Sequence, residues 1–267
     1  MSEMALNLFY KEVAAATRQD LIKQKMLLPM ATQDELCSSY CRTPRSVTEA
    51  LLAPATSRNA KKTAKILSVL QKTFPGEGVT IHDFKPLEAA QSLENEVAVI
   101  AVNTEKHFFD GAASLLTGVT HLVKNPVVRW DFIIDEYQIG QAKLWGADAV
   151  RIVTALLDQA ELNNICNAAR QQGLEVIAEV HNQSELERVL ALKDLLNCIY
   201  FINDEFVPEL INNFLQQIPA DIPVLVNCSS VPPEELCNIC CDGVVADQSQ
   251  YYLPARLKKL KKDLLTD

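Results

Sequence analysis

Short β-branched runs alternate with amphipathic stretches along most of the chain. Eight such runs predict β-strands, at residues 66–70, 97–102, 126–130, 149–153, 175–180, 198–202, 223–226 and 243–246. Helical periodicity between the runs predicts helices at residues 136–145, 158–172, 184–192 and 233–240. This alternation is typical of βα units around a parallel sheet. Eight such units predict a single α/β domain, a (β/α)8 TIM barrel.

Local signals mark several helix ends. Asp158 precedes an apolar-periodic stretch, and Ser184 with Glu187 three residues later predicts a capping box. Gly146 and Gly173 lie where helices should end, a position that often needs positive φ. Residues 1–62 carry charges within an apolar periodicity, which predicts an N-terminal helical extension ahead of a barrel at residues 63–267.

Composition and charge narrow the class of protein. The formal net charge is −9, whereas a nucleic-acid binder normally shows a basic surplus, so DNA and RNA are not expected partners. Neither a signal peptide nor an apolar run of bilayer length is visible, so we expect a cytoplasmic protein without membrane contact. Eight cysteines are then expected as reduced thiols, and the cluster Cys237, Cys240 and Cys241 has no nearby histidine to suggest a metal site. Only eight glycines occur, which argues against a glycine-rich phosphate loop.

Polar or bulky side chains close most of the predicted strands, where barrel enzymes carry their chemistry. They are Gln71, Asn103, Trp130, Arg151, Glu179, Asn203 and Asn227. Glu179 follows a buried-looking run, and a carboxylate at a barrel mouth is expected to have a raised pKa suited to proton transfer. The alternative is a solvated strand end, or an ion pair with Arg151 on the neighbouring strand, which would hold Glu179 ionised as a base.

Four stretches in the middle of the chain carry a family resemblance. They are residues 104–111 (TEKHFFDG), 125–139 (NPVVRWDFIIDEYQI), 145–150 (WGADAV) and 174–188 (LEVIAEVHNQSELER). These stretches resemble the indole-3-glycerol-phosphate synthase family, with weaker collinear similarity elsewhere. The resemblance implies a (β/α)8 barrel and an enzyme that closes a ring carbon onto a ketone, with loss of carbon dioxide and water.

The resemblance carries over to four positions of this sequence. Glu179 matches the family's glutamate at the end of the fifth strand, and Asn203 matches its asparagine after the sixth. Phe109 and Phe132 match the aromatic walls that flank the substrate. These four positions imply that part of the family's site is retained.

Other family positions hold different residues. Trp130 stands where the family has its general-acid lysine, and Val69 and Gln71 stand where it has a glutamate and a second lysine. The two loops that hold phosphate in the family contain Cys228 and Asp247 here, and the charge of an aspartate repels a phosphate. The replacements predict a substrate without phosphate.

Within the family, this pattern is most similar to the members that act in scytonemin biosynthesis, a cyanobacterial pigment pathway. The resemblance implies ring closure at indole C2, decarboxylation and dehydration of a β-keto acid made from indole-3-pyruvate and 4-hydroxyphenylpyruvate, giving a tricyclic cyclopentaindolone. No cofactor and no metal are expected, because the ketone beside the carboxylate is the electron sink. The expected partners are this small aromatic substrate and the upstream pathway enzyme.

Each candidate residue has an expected role in this reaction. Glu179 is the expected proton shuttle, Arg151 anchors the substrate carboxylate or polarises the ketone, and Asn203 hydrogen-bonds the carbonyl oxygen. The expected substrate-binding residues are Trp130, Phe109, Phe132, Gln71, Asn227 and Cys228.

Two other interpretations stay open from the sequence. An inactive barrel that serves as a scaffold or ligand-binding protein fits the lost family residues, and a different phosphate-dependent barrel enzyme would bind phosphate after the last two strands. His107 and His181 adjoin family motifs and are interpreted as structural or surface histidines.

Overall fold

Eight parallel strands close into a barrel in the computed structural model, which describes residues 3–52, 65–202, 207–227 and 239–246. The barrel strands are β1 (Lys65–Leu70), β4 (Val99–Asn103), β5 (Val127–Trp130), β6 (Ala149–Val153), β7 (Glu175–Val180), β8 (Cys198–Phe201), β9 (Val224–Asn227) and β10 (Gly243–Ala246). They follow one another around the barrel in chain order, and β10 pairs with β1. The sequence prediction of a (β/α)8 barrel is confirmed.

Helices precede the barrel and connect its strands. Three lie ahead of β1: α1 (Glu3–Leu27), α2 (Met30–Ser39) and α3 (Val47–Leu51). Between the strands lie α4 (Pro86–Leu93), α5 (Ala113–Leu122), α6 (Tyr137–Leu144), α7 (Gln159–Gln172), α8 (Gln183–Leu190) and α9 (Pro208–Leu215). A short antiparallel pair, β2 (Thr73–Phe74) and β3 (Val79–Thr80), lies in the connection between β1 and α4. No helix in these described ranges is long and apolar enough to span a bilayer.

Strand alternation divides the core into two layers. Val176, Ala178 and Val180 of β7 pack outward beneath the helices, whereas Ile177 packs inside the barrel. Because side chains alternate along a strand, Glu179 shares the inward face with Ile177. The same period places the last inward side chain of each strand at the carboxyl end of the barrel.

Two of the predicted helix signals differ in the structure. The N-cap of α8 is Asn182, whose side chain accepts the backbone N–H of Glu185, so Ser184 lies inside the helix and the predicted capping box is wrong. The helix begins at Gln183, earlier than its apolar periodicity indicated, so Asn182 and not Ser184 occupies the N-cap position. A capping box does form at α7, between Asp158 and Glu161. Of the helix predicted at 233–240, residues 233–238 lie outside the described ranges.

Both predicted helix-ending glycines adopt the left-handed conformation. Gly146 has φ 86° and Gly173 has φ 74°. Gly173 follows α7 directly, and Gly146 follows Trp145, the residue that caps α6. Both predicted helix ends are therefore confirmed.

The N-terminal extension contacts both ends of the barrel. At the amino ends of the strands, the buried carboxylate of Asp148 binds Arg42 and Arg45, and Glu175 accepts the backbone N–H groups of Val47 and Thr48. At the carboxyl ends, α1 lies across the mouth of the barrel, where Tyr10 reaches β7. The extension therefore binds the amino ends of the strands, which form the lower end of the barrel, and covers the carboxyl ends, which form the upper end.

Candidate active site

Three neighbouring strands bring Trp130, Arg151 and Glu179 together at the upper end of the barrel. Each side chain is buried and belongs to the inward-facing register of β5, β6 or β7. The Arg151 guanidinium carbon lies 4.8 Å from the centre of the Trp130 ring and 4.9 Å from that of the Phe132 ring. Trp130 also contacts Tyr200, with ring centres 5.4 Å apart. Arg151 is thus held between two aromatic rings, a favourable environment for a guanidinium.

Arg151 leaves part of its hydrogen-bonding capacity unused. Its Nη1 lies 3.4 Å from Oε2 of Glu179, and the side chain is 8% exposed. Its Nε and Nη2 are buried and have no hydrogen-bond partner among the described residues. A buried guanidinium normally has its N–H groups satisfied, so this one is prepared for a further acceptor.

Glu179 is fully buried and contacts three polar side chains. Tyr10 donates a hydrogen bond of 2.7 Å to Oε1 of Glu179, and His181 Nε2 lies 3.3 Å from the same oxygen. Burial alone raises the pKa of the carboxyl, but Arg151, His181 and Tyr10 together lower it to about 2. The expected raised pKa of Glu179 is therefore wrong for this closed state, and the alternative, an ionised glutamate paired with Arg151, describes it.

Tyr10 closes the site from above. Its ring lies 5.4 Å from that of Phe132 and 5.9 Å from that of His181, and the whole residue is buried. Glu179 has no exposed surface, and the Tyr10 phenol is one of the groups that shield its carboxylate from solvent. Burial beside the charge of Glu179 raises the pKa of the Tyr10 phenol, so it remains a donor.

An aromatic loop after β4 forms one wall of the mouth. Glu105 accepts the backbone N–H groups of His107, Phe108 and Phe109, and this fixes the turn. Gly111 closes the loop against the backbone, where a Cβ atom would lie 2.5 Å from the carbonyl oxygen of Asn103. The loop thereby places the Phe109 ring 5.8 Å from the Phe132 ring.

The remaining predicted site residues differ in their surroundings. Gln71 is buried at the end of β1 and accepts a hydrogen bond of 2.8 Å from Asn103, so its amide oxygen has a protein partner. Asn227 ends β9 and is half-buried. Asn203 and Cys228, like Asp247 of the expected phosphate loop, lie outside the described residues.

Sequence reasoning did not place Tyr10 or His181 in the site. Tyr10 is 169 residues away from Glu179 along the chain, and no local pattern shows where α1 docks. His181 did have a signal, because it lies two positions after Glu179, and side chains two apart share a face when the backbone stays extended.

A separate cavity of about 280 Å³ lies beside the site, between α1 and the loops after β4 and β5. Its lining includes Thr17, Gln24, Glu105, Arg129 and Trp145, but neither Glu179 nor Arg151. It is therefore distinct from the Arg151–Glu179 pair.

Comparison with known proteins places the chain in a family. The sequence profile of indole-3-glycerol phosphate synthase matches residues 10–199. The chain belongs to the indole-3-glycerol phosphate synthase family. The indole-3-glycerol phosphate synthase of Campylobacter jejuni subsp. jejuni serotype O:6 is 33% identical over 207 residues, which are 76% of this chain and 78% of that protein. That of Caldanaerobacter subterraneus subsp. tengcongensis is 35% identical over 196 residues, or 71% of this chain and 75% of that protein.

Solved structures agree with the fold. N-(5'-phosphoribosyl)anthranilate isomerase from Pyrococcus furiosus aligns with a TM-score of 0.56 at 11% identity, over 75% of this chain and 98% of that one. KGPDC from Streptococcus mutans aligns with a TM-score of 0.58 at 13% identity, over 76% and 98%. At these identities the structures support the barrel architecture of this indole-3-glycerol phosphate synthase family member and nothing about its substrate.

Proposed function

We propose that the protein is a decarboxylating cyclase that acts on an unphosphorylated indolic β-keto acid, as expected for scytonemin biosynthesis. The substrate is the acid formed from indole-3-pyruvate and 4-hydroxyphenylpyruvate. Indole C2 forms a bond to the ketone carbon, and the C2 proton, carbon dioxide and water are lost to give a tricyclic cyclopentaindolone.

The observation that carries this proposal is the guanidinium of Arg151. Its buried, unpaired Nε and Nη2 adjoin the paired Nη1, and such a planar array matches the two oxygens of a carboxylate. The flanking Trp130 and Phe132 rings hold the guanidinium plane in place. Arg151 thus offers a substrate carboxylate a site at the level of the expected base.

Differences from the family at its phosphate-binding loops and at its general-acid lysine supply a second argument for an unphosphorylated substrate. The two loops where the resemblance locates phosphate contain Cys228 and Asp247 here, and the charge of an aspartate repels a phosphate. At position 130 the resemblance puts a lysine, and the indole of Trp130 carries no charge there. These residues favour a substrate without phosphate.

The proposed mechanism begins when the substrate carboxylate binds Arg151. Its negative charge offsets that of the guanidinium, and Tyr10 leaves Glu179 at the same time. Both changes remove interactions that hold the pKa of Glu179 low, so the carboxylate becomes a stronger base. Glu179 then takes the proton from indole C2 after the ring closes.

The other predicted residues hold the reactants in position. Asn203 donates a hydrogen bond to the carbonyl oxygen as charge develops on it, and Phe109 and Phe132 pack against the aromatic groups. Trp130 acts through Arg151, because one face of its ring carries the guanidinium. Gln71, Asn227 and Cys228 complete the proposed substrate pocket. Decarboxylation follows ring closure, and the electron pair of the breaking C–C bond forms a C=C bond as the hydroxyl derived from the ketone leaves as water.

The test is incubation of the purified protein with the coupled β-keto acid, followed by mass spectrometry for loss of carbon dioxide and water. Glu179→Gln is expected to lower kcat by roughly 10²–10⁴-fold, the usual contribution of a general base. Glu187→Gln, on the exposed face of α8, is the matched control and should keep the wild-type rate.

Two results contradict the proposal. A wild-type rate no greater than the uncatalysed rate would favour an inactive scaffold. Formation of indole-3-glycerol phosphate from its phosphorylated precursor, without turnover of the β-keto acid, would assign the protein to the reaction for which its relatives are named.

A further inference from the structure

His181 lies between two carboxylates at the start of the loop after β7. Its Nε2 is 3.3 Å from Oε1 of Glu179, and its Nδ1 is 3.1 Å from Oε2 of Glu185. The side chain is 13% exposed. A histidine in this position is more than a surface residue, because each ring nitrogen faces an acid.

The first turn of α8 fixes the orientation of the ring. Oε2 of Glu185 also accepts the backbone N–H of His181 at 2.9 Å, and Oε1 accepts the Asn182 side chain at 3.1 Å. Asn182 in turn caps α8 through the backbone N–H of Glu185. Glu185 thus holds Nδ1 on one side, and Nε2 lies near Glu179 without a hydrogen-bond partner among the described residues.

The groups packed around His181 favour its charged form. Glu179 faces it from β7, Glu185 from α8 and the Tyr10 phenol from α1, while Arg151 on β6 lies beyond Glu179. Burial lowers the pKa of His181, but the two carboxylates reverse this and raise it to about 10. At neutral pH the ring is therefore an imidazolium with a proton on each nitrogen.

The proposed reaction needs an acid as well as a base. Of the three described side chains that contact Glu179, Arg151 binds the substrate carboxylate in the proposed complex, and the raised pKa of Tyr10 makes its phenol a weak acid. His181 is cationic and becomes neutral when it releases one proton, so it can act as an acid. It occupies the same mouth as Trp130, the residue that stands where the resemblance puts the general-acid lysine.

We propose that His181 is the general acid of the ring-closing reaction and that Glu185 is its positioning residue. The inference rests on the proposed function. Ring closure turns the ketone oxygen into an alkoxide, which takes a proton from solvent water, while Glu179 takes the C2 proton. Nε2–H of His181 then protonates the resulting hydroxyl. As the C–O bond breaks and water leaves, the adjacent carboxylate departs as carbon dioxide, and its electron pair forms the new C=C bond. The carboxylic acid of Glu179 returns its proton to Nε2 across the 3.3 Å contact. The departing water therefore carries one proton from C2 and one from solvent, and the site is restored.

The first experiment follows the products of His181→Gln with the coupled β-keto acid by mass spectrometry. The variant retains Glu179 as base, so we expect a cyclised hydroxy acid, heavier than the product by one water and one carbon dioxide, to accumulate. Formation of the final product is expected to slow by roughly 10²-fold. His121→Gln, at an exposed position of α5, is the matched histidine control and should give the wild-type product at the wild-type rate.

The second experiment measures the pH profile of kcat for Glu185→Gln. Loss of one carboxylate lowers the pKa of His181, so the basic limb of the profile should move to lower pH. A purely structural role of Glu185 would not move that limb. This variant also tests the inference if His181→Gln does not fold.

The outcomes separate the two proposals. If the wild-type protein turns over the β-keto acid while His181→Gln forms the dehydrated product at the wild-type rate, or Glu185→Gln leaves the basic limb unmoved, the role of His181 is refuted and the proposed function stands. If the wild-type protein does not turn over the β-keto acid, both proposals fall.

Discussion

At the scale of single residues, Arg151 is proposed to bind two carboxylates. In the closed site it faces Glu179, and in the proposed complex it also binds the substrate. Charge-assisted hydrogen bonds contribute about 1.5–3 kcal/mol each, so Arg151→Met should raise KM for the β-keto acid roughly 10–100-fold. The variant should also unfold at lower temperature, because Glu179 loses a buried cation. Steady-state kinetics and thermal unfolding measure the two effects.

Arg170→Met is the control for this prediction. Arg170 lies exposed in the last turn of α7 and contacts neither Glu179 nor Trp130. A KM for Arg151→Met equal to that of Arg170→Met would show that the guanidinium does not bind the substrate.

The charges around Glu179 also predict how stability changes with pH. The pKa of His181 rises from its ordinary 6.5 to about 10 on folding, so its contribution is complete below about pH 6.5 and is lost as pH rises through 10. The pKa of Glu179 falls from 4.5 to about 2, so its contribution is complete above about pH 4.5 and is lost as pH falls towards 2. In urea unfolding, the stability advantage of wild type over His181→Gln should shrink from about pH 6.5 to 10. A constant difference across that interval would show that His181 is neutral in the folded protein.

At the scale of elements, α1 covers Glu179, and the proposed mechanism requires this cover to move aside. Tyr10→Phe removes the 2.7 Å hydrogen bond that holds the cover to the carboxylate and keeps the packing of the ring. The apparent affinity for substrate improves as the open population rises, so KM should fall, by up to about tenfold. The free energy of unfolding should fall by about 1–3 kcal/mol at the same time. Kinetics and urea unfolding of the same preparation test both changes.

Tyr40→Phe provides the comparison for the cover. Tyr40 follows α2, and its hydroxyl lies near Gly146, away from Glu179. A KM for Tyr10→Phe that is unchanged or higher than that of Tyr40→Phe would mean that the closed position of α1 does not limit substrate entry.

The elements also show what could be predicted from sequence. The strands followed from β-branched runs, and the rule that barrel enzymes carry their chemistry at the carboxyl ends of the strands selected Trp130, Arg151 and Glu179. The period of two along a strand, extended by one step beyond β7, would also have selected His181. The docking of Tyr10 could not be predicted, because an amphipathic pattern defines the buried face of a helix but not the distant surface that covers it. The low pKa of Glu179 is due first to Arg151, the partner that the sequence offered as the alternative, and then to His181, which was interpreted as a structural or surface histidine.

At the scale of the whole molecule, the N-terminal extension stabilises one end of the barrel and covers the other. Its lower contact depends on Asp148, which is fully buried and accepts hydrogen bonds from the side chains of Arg42 and Arg45 and from the backbone N–H of Val127. The Glu179 site lies at the opposite end of the strands. Stability and substrate binding should therefore respond separately to changes at the two ends.

Asp148→Ala tests this separation. Removing one member of a buried ion pair costs about 3–5 kcal/mol, and the loss should lie near the lower figure because Arg42 and Arg45 are 21% and 25% exposed and water can reach them. The free energy of unfolding in urea should fall by this amount, whereas KM for the β-keto acid, measured well below the unfolding transition, should stay at its wild-type value. Asp34→Ala, an exposed aspartate of α2, should change neither quantity. A higher KM in Asp148→Ala at unchanged folded fraction would mean that the extension moves as one body, so that loosening its lower contact also shifts α1 and Tyr10 over Glu179.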